Sequence, residues 1–411
     1  MQNTTEEQRS WLDRPLVSSI PALTYEILIF VSIILLAIAS RFYMLGVRVM
    51  SHDESLHTYF SWLLFKGQGY QHSPMMHGPF QFHILALTYF LFGVNDFTSR
   101  IPAALFSVAT VWMAWYWRRY LGKIGALAAA FLMLISPYML FYGRYTRNEA
   151  YVGLFGLLTL YAMLRYLETG AHRYIYLFTT AVVLHFTSKE TAFIYSAQAL
   201  LFLAIFFVFQ ITRQPWEKKS YFRIFILLLA AGILLLGGAF GMGLYGGTSA
   251  ILGGSETIAP LNPSQAASPL APPTTHLSPA LLLAGLSLIA LLTAGILLIR
   301  GYGWERLRAE RSFDLLILLG TLVIPQLTAF LVKFAGFNPM DYSTTGMIHT
   351  AYFLIPIALI SIGIGLWWNR NLWIKNALVF YAIFIVLYTT VFTNSQGFFT
   401  GVVWLMRVVP L

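Results

Sequence analysis

Long unbroken runs of apolar residues, each near the length of a bilayer crossing and separated by short polar segments, set the pattern of this chain. Continuous rather than alternating apolar stretches predict membrane helices and exclude a β-barrel. Eleven spans are read, over residues 24–39, 100–117, 124–141, 150–167, 174–186, 191–211, 222–244, 277–299, 315–332, 349–368 and 377–392. One more apolar stretch, 79–92, has 14 residues, fewer than the about 20 a crossing takes. It is expected to lie along the outer face or dip into it. Ahead of it Leu56, Tyr59, Phe60, Leu63 and Leu64 recur at i, i+3, i+4, i+7 and i+8, which predicts an amphipathic helix. With Trp62 and Lys66 near its end, this helix suits the membrane interface, apolar side among acyl chains and polar side toward water.

The expectation is one all-α polytopic membrane domain over 1–411, with about eleven transmembrane helices and two long external loops, 40–99 and 245–276. The first holds the interfacial helices. The second is rich in Pro, Ser, Ala and Thr and buries too little apolar area to order, so it reads as flexible. Composition agrees, with 58% hydrophobic and 10% charged residues against about 45–50% and about 25% in soluble domains. The formal net charge of +10 is a topology signal. With 79–92 left outside, one side of the membrane collects Arg9, Arg14, Arg118, Arg119, Lys123, Arg165, Arg173, Arg213, Lys218, Lys219, Arg223, Arg300, Arg306, Arg308, Arg311, Arg370 and Lys375. These are 17 of the 26 basic residues, so that side is cytoplasmic. The N-terminus is then cytoplasmic, the protein is expected in the plasma membrane, and nucleic acid is not an expected partner. The polar start of the chain, through Leu16, has no short apolar core with a cleavage site, so no cleaved signal peptide is expected. Zero cysteines exclude disulfides, thiolate metal sites and cysteine nucleophiles.

The outward loops carry the chemistry. They hold Asp53, Glu54, Asp96, Glu149, Glu190, Glu256 and Asp341 together with Arg100, Arg144, Arg147, Lys189 and Lys333. Asp53 and Glu54 begin the amphipathic helix, at the height where a group would meet a substrate with a lipid tail and a polar head. Ser51-x-x-Glu54 also has the spacing of a capping box, as do Thr146-x-x-Glu149 and Thr187-x-x-Glu190. Arg144 and Arg147 supply the forked donors a phosphate needs, or pair with Glu149. Arg100 begins a helix, where the dipole disfavours a cation, so it should have an anionic partner. Five of the nine histidines, His52, His57, His72, His77 and His83, lie within 32 residues. Neutral imidazole ligates metals, which leaves a divalent metal open, but no metal-binding spacing is present.

Asp53-Glu54, His77-Gly78-Pro79-Phe80, Leu91-Phe92-Gly93, Ser99-Arg100-Ile101-Pro102, Phe141-Tyr142-Gly143-Arg144 with Glu149, and Ser188-Lys189-Glu190 occur in the order seen in GT-C glycosyltransferases. The chain resembles that superfamily, which includes protein O-mannosyltransferases and lipid A aminoarabinose transferases. It is most similar to the prokaryotic flippase-activity-associated branch, which shares the His-Gly-Pro and Thr-Asn-x-x-Gly stretches, here Thr393 to Gly397. Members of that branch continue well past the second stretch, whereas this sequence ends at Leu411. The resemblance implies transfer of a sugar from a polyprenyl-phosphate donor to a protein, lipid or glycan acceptor on the extracytoplasmic side. It implies that Asp53 is the general base and Glu54 positions the acceptor. Arg100, Arg144, Arg147 and Lys189 would then hold acidic partners or the departing phosphate, with His77, Glu149 and Glu190 completing the substrate site. Two other classes stay open, a non-catalytic subunit of a membrane complex and a factor that translocates a lipid-linked sugar. A transporter made of inverted repeats of interrupted helices has no counterpart in the sequence.

Overall fold

The computed structural model describes residues 10–17, 20–73, 76–252 and 279–403; their regular elements are all helices, with one isolated bridge between Pro15 and Thr24. The helices are α1 (Tyr25–Phe42), α2 (His52–Phe65), α3 (Phe80–Phe92), α4 (Asp96–Ile135), α5 (Pro137–Tyr142), α6 (Glu149–Thr169), α7 (His172–Phe186) and α8 (Thr191–Arg213). Then follow α9 (Lys219–Leu252), α10 (Pro279–Tyr302), α11 (Trp304–Ala309), α12 (Arg311–Val323), α13 (Thr328–Phe334), α14 (Thr344–Tyr388) and α15 (Gln396–Val402). Every expected span falls on helix. Among the described residues seven helical stretches are long and apolar enough to cross a membrane by themselves. The 13-residue α3 would reach only about 20 Å at 1.5 Å per residue. The expected flexible loop lies mostly outside the described residues, α9 running to Leu252.

Local chemistry sets where the apolar runs break. Gly122 takes φ 70° and divides α4 into two arms beside Arg118 and Arg119. Asn369 departs from helical geometry inside α14 and accepts the Leu372 amide on its side chain, as a cap does. Three expected spans are interrupted. The 124–141 stretch stops at Ile135, where Ser136 caps α5 and Pro137 opens it. The 315–332 stretch passes through a 3-10 turn, Ile324–Leu327, at Pro325. The last stretch ends at Tyr388, followed by Thr390, Val391 and Phe392 with φ of 51°, 55° and 67°.

The chain forms two compact units, one of residues up to Ala204 with Asp314 onward, the other Ile205–Phe313. In the first, α1 packs on both arms of α4 through Phe30, Ile33 and Ala37 against Val108, Val111, Ala114, Ala130 and Leu134. The alanines let helices approach closely, the usual basis of packing where lipid removes the hydrophobic drive between helices. α2 packs on α3, α4 on α6, α6 on α7 and α7 on α14. In the second unit α9 pairs with α10, with Ser287 donating to the Gly232 carbonyl at 2.7 Å.

α2 forms as the periodicity predicts, but its polar side is not turned to water. Glu54, His57 and Ser61 are the buried residues of α2, while Leu56 and Tyr59 are 39% and 55% exposed. The physical reason is that the polar stripe has partners inside the protein. The apolar stripe is left for lipid.

Candidate active site

Ser51 caps α2 with a complete capping box, its hydroxyl facing the Glu54 amide and the Glu54 carboxylate returning to the Ser51 amide at 3.3 Å. The carboxylate does more than cap. Its Oε1 accepts from Arg100 Nε at 2.9 Å and from the Thr146 amide at 3.1 Å; its Oε2 accepts from Arg100 Nη2 at 3.0 Å and Arg48 Nη2 at 2.7 Å. Burial opposes ionisation of Glu54, but the Arg100 bonds and the Thr146 and Ser51 amides outweigh it and hold its pKa below the usual carboxylate value. Arg100 is fully buried and spends its remaining donors on the Leu45 and Arg48 carbonyls, each at 2.9 Å. The anionic partner expected for Arg100 is therefore Glu54. The pair ties the start of α4 to the start of α2.

Asp53, next in the chain, faces the other way. Its side chain is 43% exposed and meets Arg147 Nη1 at 2.8 Å. Arg147 Nε lies 3.6 Å from Glu149, which holds Lys189 Nζ at 2.7 Å. This gives a row Asp53, Arg147, Glu149, Lys189 of alternating sign. Thr146 and Thr187 do not cap with their glutamates. The Thr146 hydroxyl donates to the Ser99 carbonyl and the Thr187 hydroxyl to the Leu184 carbonyl, because Glu149 and Glu190 are drawn to Lys189 and His77 instead. The N-cap of α6 is Asn148.

His77 Nδ1 donates to Glu190 at 2.8 Å. Its backbone is left-handed, φ 66°, and Gly78 and Phe80 dock on the end of α7. The Gly78 amide donates to the Ser188 carbonyl at 3.0 Å and the Phe80 amide to the Thr187 carbonyl at 2.8 Å. A Cβ at Gly78 would collide with the Thr187 carbonyl oxygen. Pro79 then leads into α3. His-Gly-Pro is thus a strap that sets His77 beside the Ser188-Lys189-Glu190 stretch. Beneath it His72, fully enclosed, joins the His77 carbonyl through Nε2 at 2.9 Å and Thr400 of α15 through Nδ1 at 2.7 Å. A carbonyl only accepts, so Nε2 carries the proton. The Thr-Asn-x-x-Gly stretch reaches the site by this route, with Gly397 pressed on the Tyr388 carbonyl and Tyr388 donating to the Phe186 carbonyl at 2.9 Å.

His57, one turn along α2 from Asp53, is buried with Nδ1 unpartnered among the described residues. Burial, then the neighbouring His77 and Arg147, lower its pKa to about 4. Its ring centroid lies 6.3 Å from that of His77. Among the described residues no three His, Asp or Glu side chains converge to hold a metal ion. Arg144 stands apart from this row, donating to the Ser40 carbonyl at 2.6 Å near Arg48. Sequence reasoning passed over Arg48 and Tyr145, whose hydroxyl meets Ser51 Oγ at 2.6 Å. Neither sits in a motif, and only the fold brings them to the start of α2.

Residues 76–236 match the family described as dolichyl-phosphate-mannose-protein mannosyltransferase. That match takes in 161 of the 411 residues, from the His77 strap into α9, and over this stretch the chain is similar to that family. No curated protein matches it. The Archaeoglobus fulgidus oligosaccharyltransferase, solved as a complex with zinc and sulfate, is a similar solved structure at 16% identity and a TM-score of 0.41. That alignment covers 92% of this chain and 48% of the other, so the chain spans about half that protein's length.

Proposed function

We propose that the protein transfers a sugar from a polyprenyl-phosphate donor to an acceptor hydroxyl on the extracytoplasmic side of the plasma membrane. The observation that carries this reading is the division of labour between adjacent carboxylates: Glu54 buried and filled with donors, Asp53 half-exposed with one arginine. Asp53 accepts the proton of the acceptor hydroxyl as its oxygen attacks the anomeric carbon. The bond from that carbon to the phosphate oxygen breaks, and the phosphate departs with the electron pair. Arg147 and Lys189 answer the charge that develops on it, and His77 lies at the same end of α7. Glu149 and Glu190 orient Lys189 and His77. Glu54 and Arg100 hold the start of α2 in place, which is a positioning role.

The test is transfer from a radiolabelled polyprenyl-phosphate sugar by purified wild type and Asp53→Asn side by side, with a membrane extract as acceptor. Label should move with wild type and fall by about 10²–10⁴-fold in the variant, the usual contribution of a positioned base. Equal transfer by the variant removes Asp53 from the reaction. No transfer by wild type with several donor sugars favours a non-catalytic subunit built on a transferase fold.

A further inference from the structure

At the end of α1 the positive charge is not balanced. Arg41, Arg48, Arg100 and Arg144 gather there, and Glu54 pairs with two of them, Arg48 and Arg100. Arg41 is fully buried and committed to the Ser40 hydroxyl and the Leu134 and Met133 carbonyls. Arg48 and Arg144 differ, because they line a cleft of about 360 Å³ whose other walls are Leu45, Pro137, Leu140 and Phe141. The Arg48 side chain is 45% exposed, and its guanidinium lies 5.6 Å from the Phe141 ring centroid. A shallow, open apolar groove of about 700 Å³ lies on the last turns of α1, bordered by Leu36, Ala39, Ser40 and Tyr43. Arg144, on the wall of the cleft, donates to the carbonyl of Ser40, which borders the groove. An open apolar groove on a membrane helix, with a cleft beyond the helix end that holds two arginines with donors to spare, has the build of a site for an amphiphile with an anionic head.

We infer that this cleft binds a bulk anionic phospholipid, its phosphate between Arg48 and Arg144 and an acyl chain in the groove along α1. Charge complementarity selects the anion, and the groove selects a lipid over free phosphate. The site is separate from the proposed reaction centre: Asp53, Arg147, Lys189 and His77 are not among the residues lining either cavity. It also reaches that centre, since Arg48 holds Glu54 and Glu54 begins α2 beside Asp53. A bound phosphate would draw on Arg48, so lipid and α2 are linked through one guanidinium. The inference does not rest on the transferase reading.

The experiment is native mass spectrometry of the delipidated full chain titrated with phosphatidylglycerol or phosphatidylcholine of the same acyl chains. Wild type should retain phosphatidylglycerol in preference by about fivefold for each arginine, the worth of about 1 kcal/mol per basic residue at an anionic lipid. The double variant Arg48→Ala, Arg144→Ala should lose the preference. Leu140→Trp fills the cleft, leaves every charge in place, and should lose it too, which covers the case where the double variant does not fold. Equal retention of the two lipids by wild type overturns the inference, as does a preference that survives Leu140→Trp. Two further arms identify the source. Displacement by millimolar inorganic phosphate would make this a free-anion site, and stronger, Leu140→Trp-sensitive retention of a polyprenyl phosphate would make it the donor site; either overturns the assignment to bulk lipid. Because the readout is lipid retention, its failure leaves the transfer assay standing, and the reverse.

Discussion

Glu54 takes five donors, from Arg48, the Ser51 amide, two nitrogens of Arg100 and the Thr146 amide, and has no exposed surface. Breaking such a pair leaves Arg100 buried and uncompensated, at a cost of about 3–5 kcal/mol. Glu54→Gln should therefore lower the melting temperature in detergent steeply, while Asp53→Asn, on a half-exposed side chain, should leave it within about 0.5 kcal/mol of wild type, as surface changes do. A melting temperature unmoved by Glu54→Gln would show that the pair holds nothing together. The sequence marked both acids and marked Arg100 as needing an anion, because motif order and the helix dipole are local properties. Local pattern did not distinguish the surroundings of Asp53 and Glu54; the resemblance alone gave Asp53 the proton and Glu54 the acceptor. That distinction depends on Arg48 and Thr146, the latter 92 residues away in the chain, and no periodicity carries such a contact.

At the scale of elements, the apolar runs were legible almost to the residue at Gly122 and Asn369, where charge and a turn former coincide. They misled where proline breaks a run without a change in polarity, as at Pro137 and Pro325. The polar stripe of α2 was legible as a stripe but not in its direction, since only the docking of α2 on α3 turns it inward. The His77-Gly78-Pro79 strap and the histidines around it give two tests. Gly78→Ala places a Cβ against the Thr187 carbonyl, and overpacking of this kind costs about 1–3 kcal/mol. It should part His77 from Glu190 and depress transfer more than it lowers the melting temperature; unchanged kinetics would mean that the strap is not what positions His77. The second test is pH. Burial lowers His72 to about 3 and, with His77 and Arg147 adding to it, His57 to about 4. Both titrate near 6.5 when unfolded, so the folded state binds fewer protons, stability is full above pH 6.5, and it falls as pH drops toward 4. The slope is about 1.4 kcal/mol per pH unit for each histidine. The melting temperature at pH 5.0 should lie well below that at pH 7.5, and His72→Gln should shrink the difference. A flat profile would mean that the fold lowers the pKa of neither ring.

For the whole molecule, the question that controls the site is which side of the membrane it faces, and α3 decides it. If α3 crossed, every loop after it would change sides and the row from Asp53 to Lys189 could not share one face with the start of α2. Its 13 residues give about 20 Å against a hydrocarbon core of about 30 Å, a mismatch too large for tilt to help, since tilt shortens reach. The ion pairs agree with a common face for the basic loops, with Arg118 on Glu26 at 3.0 Å and both Arg119 and Arg165 on Glu168. The chain has no cysteine, so single cysteines report sidedness without background. Ala335 and Thr169 are exposed and lie in loops that the charge distribution assigns to opposite sides. A membrane-impermeant maleimide should label Ala335→Cys in intact cells and Thr169→Cys only after permeabilisation. The reverse pattern would put the basic loops outside, against the positive-inside rule, and would move the Asp53 site to the cytoplasmic face, where an extracytoplasmic acceptor never meets it. Labelling of both in intact cells would mean an even number of crossings between the end of α6 and the end of α13, and the eleven-span count would fall while the geometry around Asp53 stood.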